Sequence, residues 1–414
     1  MQRISTNMPN DDMQYHLRLR QWRMNELQNR MAEQTRIKEL RDDPVGAAHS
    51  SRYQSLLVRL NRYVDNIGTV QSNYRLSEEY LKSANEVLHR VREIAVQGAN
   101  STYSKQQMKM MGIEVNQLLN HLVEAANARS GDGQALFAGD RVDSQPFRAL
   151  KGKVPGADGQ VITQVLYTGG MANNAAEVSE GSYVTTGLAG NQVFWAEQNE
   201  IMSDVDATSY VVQRDSSILI DNSQVDLKAG DNIYAVIAKI NDSSAAVRAA
   251  LDPVKNSLVI SSTYPHQIWI EDGAPGSVLR DLGITTDFGK PPNNIAAEAR
   301  SSGGSVFDMI VFIRDKLFSG ESLHVGGAGI KGLDLAQNNL LSALAELGSK
   351  YERLDFAHSR ISNEIPEIQR RNSVEMDIDI AEAIMNLKVL EYTHKAALGT
   401  AARIMQPTLL DFLR

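Results

Sequence analysis

From Tyr53 an apolar position returns every seventh residue, through Leu60, Ile67, Tyr74, Leu81 and Leu88 to Ala95. A companion register three residues later carries Leu56, Tyr63, Val70, Ser77, Ala84 and Val91, with Ser77 its one polar member. So narrow a seam predicts a long helix lying against a partner, because alone it would leave its stripe in water. A shorter helix comes next, with Met108, Met111, Val115, Leu118, Leu122 and Ala125, folded back after a turn around 98–104. The 3–4 spacing returns later in Leu340, Leu344, Leu347, Tyr351, Leu354, His358, Ile361, Ile365 and Ile368, and Pro366 is expected to kink that helix. A last helix is predicted from about Ile380 through Ile384, Leu387, His394, Leu398 and Ala401 to Met405, stopping before Pro407. The N- and C-terminal helices are expected to pack side by side.

Between these flanks the pattern changes. Of 29 glycines, 23 lie between Gly131 and Gly332, as do seven of the 11 prolines. Both residues are costly inside helices and punctuate strands, so the middle is expected to be β-rich. VITQVLYTG, SYVTT, NQVFW, SSILI, SLVISS and HQIWIED read as strands, with Asp158-Gly159 and Asp272-Gly273 as hairpin turns. One helix is predicted over DNIYAVIAKINDSSAAVRAAL, with Ile233, Val236, Ile237 and Ile240 on its apolar face. The fold class is therefore α+β and multidomain: an elongated helical bundle from the two ends, carrying an inserted β-rich domain at 138–302. The expected divisions are 1–45 with 377–414, 46–137 with 303–376, and the insert, which holds a small α+β module at about 206–290.

Composition narrows the chemistry. The 414 residues contain no cysteine, which removes disulfides, thiolate metal sites and cysteine nucleophiles together. With 42 Lys and Arg against 50 Asp and Glu, the charge of −8 disfavours nucleic acid as a partner. No apolar run is long enough for a membrane span, and the start has no signal-peptide core. Residues 16–41 carry seven Lys/Arg against three Glu, with Leu17, Met24, Leu27 and Met31 on one stripe. That stripe is read as an assembly face in preference to a membrane-surface helix.

The enzymatic motifs dissolve. Gly327-Ala328-Gly329-Ile330-Lys331-Gly332 fits GxGxxG, but it leads into a heptad helix and not a crossover, so it is read as a flexible loop. The eight histidines are scattered without ligand spacing, and His358 and His394 fall on helix seams. Asp42-Asp43-Pro44 reads as a helix start, and Asp379 with Glu382 as a capping box. With no catalytic constellation, no cofactor and no metal site in prospect, the chain is expected not to be an enzyme.

Residues 2–6, QRIST, the basic helix after them and DDPVGAA at 42–48 resemble the N-terminus of the bacterial flagellin family. At the other end, Asp377, Asp379-Ile380-Ala381-Glu382-Ala383, Tyr392, Ala396-Ala397-Leu398, Gln406 and Leu409-Leu410 resemble its C-terminal signature. Within the family, GQALFAGDRVDSQPF at 133–147, YTGG at 167–170 and GNQVF at 190–194 are similar to the hook–filament junction branch, the distal hook-associated proteins. Residues 232–284 resemble a module inserted into flagellins and cap proteins. Two features depart from the family pattern: Glu39-Leu40-Arg41 stands where Ser-Gly usually precedes Asp-Asp-Pro, and the insert is large.

The resemblance implies a structural protein that adapts the hook to the filament, self-associating in a tube through its terminal helices. Leu17, Met24, Leu27, Met31, Ile380, Ile384, Leu387, Leu398, Ile404, Leu409 and Leu410 would make the assembly contacts. Leu60, Ile67, Tyr74, Leu81, Leu88, Leu340, Leu347, Leu354 and Ile361 would form the rod seam. Implied partners are the proximal hook-associated junction protein, flagellin, an export chaperone on the C-terminal helix and the flagellar type III export apparatus. Implied location is the flagellum, outside the cell, or the periplasm where flagella are internal. Flagellin or the proximal junction protein is the alternative within the family. A coiled-coil-stalked adhesin or glycan-binding protein is the alternative outside it.

Overall fold

A computed structural model describes residues 8–404 apart from 101 and 288. In chain order the elements are α1 (Met8–Glu33), α2 (Pro44–Gly98), α3 (Lys105–Ala126), β1 (Phe147–Lys153), β2 (Gln160–Tyr167), β3 (Ala175–Ser179), β4 (Ser182–Thr185) and α4 (Gly190–Val193). Next come β5 (Glu200–Met202), β6 (Ser216–Ile220), β7 (Ser223–Leu227), α5 (Ile233–Asn241), β8 (Val247–Leu251), β9 (Leu258–Ser262), β10 (Ile270–Gly273), α6 (Val278–Asp281) and β11 (Arg300–Ser302). Then α7 (Val306–Ser319), α8 (Ser322–His324), a π-helical turn (Val325–Gly329), α9 (Ile330–Met376) and α10 (Ile380–Ile404) complete the described chain. Two compact units result: Met1–Val64 with His358–Arg414, and Asp65–Ala357.

In the first unit the two ends run antiparallel. The Arg20 guanidinium of α1 donates to the Thr393 carbonyl of α10 at 2.9 Å, and Thr35 bridges Asp377 nearer the other end. The start of α2 lies along the end of α9, where the Ser50 hydroxyl donates to Asn372 Oδ1 at 2.7 Å. Leu60, Tyr63, Ile361 and Ile368 are buried there. Helix α9 continues unbroken through Pro366.

In the second unit the rest of α2 lies antiparallel to the first turns of α9. Arg92 pairs with Asp334 at 2.7 Å, His89 with Gln337 at 2.7 Å, and Arg75 donates to the Tyr351 hydroxyl at 2.9 Å. The heptad positions of this stretch, Ile67, Val70, Tyr74, Leu81, Ala84, Leu88, Val91 and Ala95, are buried, as are Leu340, Leu347 and Leu354. Ser77 is buried with them, its hydroxyl without a partner. Helix α3 packs on α7. Its buried line is Met108, Gly112, Val115, Leu119, Leu122, Ala125 and Ala126, so Leu119 takes the place that the periodicity gave to Leu118, now half-buried.

Arg314, on α7, is wholly buried and ties three elements together. It donates to the Ile162 carbonyl of β2 at 2.6 Å, to Asn116 Oδ1 of α3 at 3.1 Å, and to Asp315 at 2.7 Å.

The β-rich part holds two hairpins, β1–β2 and β3–β4, a four-stranded sheet ordered β11-β5-β9-β8 and a three-stranded sheet ordered β10-β6-β7. All the pairings are antiparallel. One apolar core, including Ile218, Ile220, Val225, Ile233, Val236, Ile240, Ile260, Ile270 and Leu279, joins the two larger sheets to α5 and α6.

Four sequence expectations need correction. The helix expected over 231–251 ends at Asn241, and VRAAL is strand β8 on β9. Asn241 enforces the change, because its side-chain amide bonds both the N–H and the carbonyl of Ala249, at 2.8 and 3.0 Å. NQVFW forms the single turn α4, not a strand. Asp272-Gly273 lies inside β10 instead of turning a hairpin, and the Asp272 carboxylate accepts from the N–H groups of Leu279 and Arg280. The glycine-rich stretch before α9 is a π turn, not a loop. There a Cβ on Gly329 would meet Ile313 at 2.9 Å and one on Gly332 would meet Met309 at 2.4 Å, so the glycines let α7 approach closely.

Candidate assembly surface of the terminal helices

The residues expected at the ends of the chain fall into three sets. Asp42, Asp43 and Pro44 start α2 as their chemistry requires. Pro44 is the first helical residue, and Asp43 Oδ1 accepts from the Gly46 N–H at 3.0 Å. That bond, followed by the Arg36 guanidinium, holds the Asp43 carboxyl below the usual carboxylate range. Asp42 accepts from the N–H groups of Glu39 and Lys38, which lower its pKa in the same way. The segment departing from the family pattern, Glu39-Leu40-Arg41, thus closes on Asp42 through backbone bonds and needs no Ser-Gly for the turn. At α10, Asp379 Oδ1 accepts from Ala381 and Glu382 N–H groups at 2.8 and 3.1 Å. Glu382 makes no reciprocal side-chain bond among the described residues, so Asp379 is a simple cap.

Between them lies a polar clamp. The Arg36 guanidinium donates twice to the Glu375 carbonyl, at 2.7 and 3.2 Å, and once to Asp43 at 3.2 Å. The Arg36 N–H donates to the Met376 carbonyl at 2.6 Å, and the Ile378 N–H donates to the Gln34 carbonyl at 3.2 Å. Residues 34–43 are therefore stitched to the joint between α9 and α10.

The helix pair itself shows which sides are used. On α1, Met13, Leu17, Arg20, Met24, Leu27 and Met31 are half-buried at alternating spacings of four and three. On α10, Ala383 and Ala401 are buried, and Leu387, Leu390, His394 and Ala397 between them are half-buried. Ile380, Ile384 and Leu398 flank that stripe and stay exposed. The side chains of Ile404, Leu409 and Leu410 lie outside the described residues. At 100° per residue, Met385, Val389 and Tyr392 fall on the opposite side of α10 from Ala383 and Ala401. They are 63%, 60% and 76% exposed. Sequence reasoning missed this second stripe; its signal was a further apolar set at spacings of four and three, offset from the first.

The block at 133–147 has a packing role in the other unit. Phe137, Phe147, Phe194 and Phe307 form a ring cluster with centroids 5.0 to 5.6 Å apart. Tyr167 joins it 5.1 Å from Phe147, and its hydroxyl donates to the Gly170 carbonyl at 2.8 Å. Burial pushes the Tyr167 phenol far above its ordinary value.

Among the described residues no three His, Asp or Glu gather in a way that could hold a metal ion, and no helix is long and apolar enough to cross a membrane. Residues 4–141 match the bacterial flagellin N-terminal helical region, and residues 215–263 match the flagellin hook IN motif. The chain is 24% identical to polar flagellin F of Vibrio parahaemolyticus over 92% of its own length and 90% of that protein's. It is 25% identical to the flagellar filament 30.7 kDa core protein of Treponema maltophilum, over 54% of this chain and 75% of that one. Among solved structures it is similar to flagellar hook-associated protein 3 from Legionella pneumophila, at 16% identity and a TM-score of 0.46, covering 78% of this chain and 97% of that one. The chain resembles the flagellin family at both the helical and the inserted segments, and these relatives are structural flagellar proteins, not enzymes.

Proposed function

We propose that the chain joins the flagellar hook to the filament as a distal junction protein, self-assembling through its terminal helices. The observation that carries this reading is the uncovered stripe of Met385, Val389 and Tyr392 on α10, opposite the side that α1 covers. Three large apolar side chains in a line on a capped helix are disfavoured in water and gain from burial between subunits. Where such a contact is head-to-tail and does not close on itself, it propagates as a tube. In the tube the terminal helices meet equivalent helices of neighbouring copies, of the proximal junction protein and of flagellin, while the β-rich insert lies on the outside. The division into terminal helices, helical rod and insert at 1–45/377–414, 46–137/303–376 and 138–302 belongs to this proposal. So do export through the flagellar type III apparatus with a chaperone on the C-terminal helix, and a site of assembly outside the cell or in the periplasm. The seam residues Leu60, Ile67, Tyr74, Leu81, Leu88, Leu340, Leu347, Leu354 and Ile361 would transmit force along the rod and take no part in chemistry.

The resemblance of 133–147 to the junction branch favours this role over flagellin itself. Cells lacking the protein should keep intact hooks and release unpolymerised flagellin into the medium. Cells that assemble normal filaments without it would remove the junction reading.

A further inference from the structure

A cavity of about 290 Å³ opens in the second unit between Asp140, Arg141, Met171, Asn222, Trp269, Glu271 and Lys290. This lies near the lower bound of ligand-sized pockets, roughly 300 Å³, which is room for one pyranose ring. Its aromatic wall is fixed by the backbone: Trp269 and Asp221 exchange bonds, the Trp269 N–H to Asp221 Oδ1 and the Asp221 N–H to the Trp269 carbonyl, both 2.9 Å. Asp221 is in turn held by the buried His266, 2.9 Å away, so Trp269 and the neighbouring Asn222 have little freedom. Gly170 gives Asp140 its place, since a Cβ there would overlap the Asp140 carboxylate.

The charges around this cavity are the unusual feature. Asp140, Arg141, Glu271 and Lys290 make no ion pair and no side-chain hydrogen bond among the described residues. Two acids and two bases around one indole leave the cavity without net charge. A phosphate or sulfate would gain from Arg141 and Lys290 but meet Asp140 and Glu271, and a cation would meet the reverse. A neutral polyol satisfies both signs, because each hydroxyl donates to a carboxylate and accepts from a guanidinium, ammonium or amide. The C–H face of a sugar ring then has an apolar wall in Trp269.

A second cavity, of about 430 Å³, shares Glu271 and Pro291 with the first and is lined also by Arg214, Asp272 and Asn294. Asn294 is buried, and its Oδ1 has no partner. We propose that the two cavities form one binding site for a neutral saccharide chain, with one ring against Trp269 and the next reaching Asn294. This site lies in the insert and is independent of the junction reading. The chemistry is common to a free polysaccharide and to a glycan carried by another protein.

The test uses the full chain, with maltotetraose, cellotetraose and chitotetraose as probes in saturation-transfer NMR and calorimetry. An array carrying the same glycans linked to protein separates free from attached sources. Binding of a neutral probe is expected, with roughly ten-fold weaker affinity in Trp269→Ala and in the exposed Glu271→Gln, and near-normal affinity in Trp269→Phe. Trp22→Ala, in the other unit, should change nothing. Near-UV circular dichroism of Glu271→Gln checks that the fold is intact. Failure of every neutral probe to bind, preference for sulfated or sialylated glycans, or unchanged affinity in Trp269→Ala and Glu271→Gln would each overturn the proposal.

Discussion

Replacing Arg314 by Met removes a buried cation while keeping most of its apolar stem volume. The cost is set by what the guanidinium touches. Its loss leaves the Ile162 carbonyl and Asn116 Oδ1 without the donor that now lies at 2.6 and 3.1 Å. A buried acceptor stripped of its partner costs about 1–3 kcal/mol, so the two together should cost about 2–6 kcal/mol, toward the lower end because Asn116 is only half-buried. The ion pair with Asp315 adds little, because that carboxylate is 35% exposed and a partly solvated pair contributes about 0–1 kcal/mol. Asp315→Asn should therefore cost less than about 1 kcal/mol. Urea unfolding followed by the near-UV signal of Trp195 and Trp269, both in the same unit, reads the two variants side by side. An Arg314→Met protein as stable as the parent, or an Asp315→Asn protein equally damaged, would refute the assignment of the energy to the unpaired acceptors.

Further expectations bear on packing, capping and assembly. Gly190→Ala should destabilise by about 1–3 kcal/mol through overpacking, because its Cβ would sit 2.7 Å from the Phe147 ring and 2.8 Å from the Phe137 carbonyl; thermal melting measures it. Val389→Glu should leave the far-UV spectrum of the monomer unchanged yet abolish incorporation into the junction, as scored by motility and by flagellin shed into the medium. The cap on α2 should depend on acid in one direction. The folded Asp43 carboxyl lies below its ordinary value of 3.8, so its contribution is complete above that value and is lost as pH falls through the lowered one. Amide exchange at Gly46 should accelerate there, and in Asp43→Asn the acid dependence should vanish.

Much of the helical part was legible in sequence because an a/d seam is a local code: a seven-residue repeat puts one side of a helix against a partner whatever the partner is. Ser77 shows how strongly the repeat dominates, since a hydroxyl keeps its register into the core and stays unpaired. The helix starts were legible for the same local reason, as Asp43-Pro44 and Asp379 satisfy amides within three residues of themselves. The α10 stripe was not, because two apolar sides of one helix look alike until α1 covers one of them.

The amino-acid pattern alone thus determined that helical flanks enclose a strand-rich middle, where α2 begins, and the absence of thiol chemistry. Tertiary structure decided what depends on distant neighbours. VRAAL became a strand because Asn241 and β9 offered it partners, against its own helical composition. The glycine-rich stretch became helical, with Gly329 and Gly332 where α7 lies too close for side chains. Trp269, Glu271 and Asp140, the last separated from the others by more than a hundred positions in the chain, line one cavity only once the sheets have formed. Local codes set the elements; long-range approach, which no spacing rule records, set the sites.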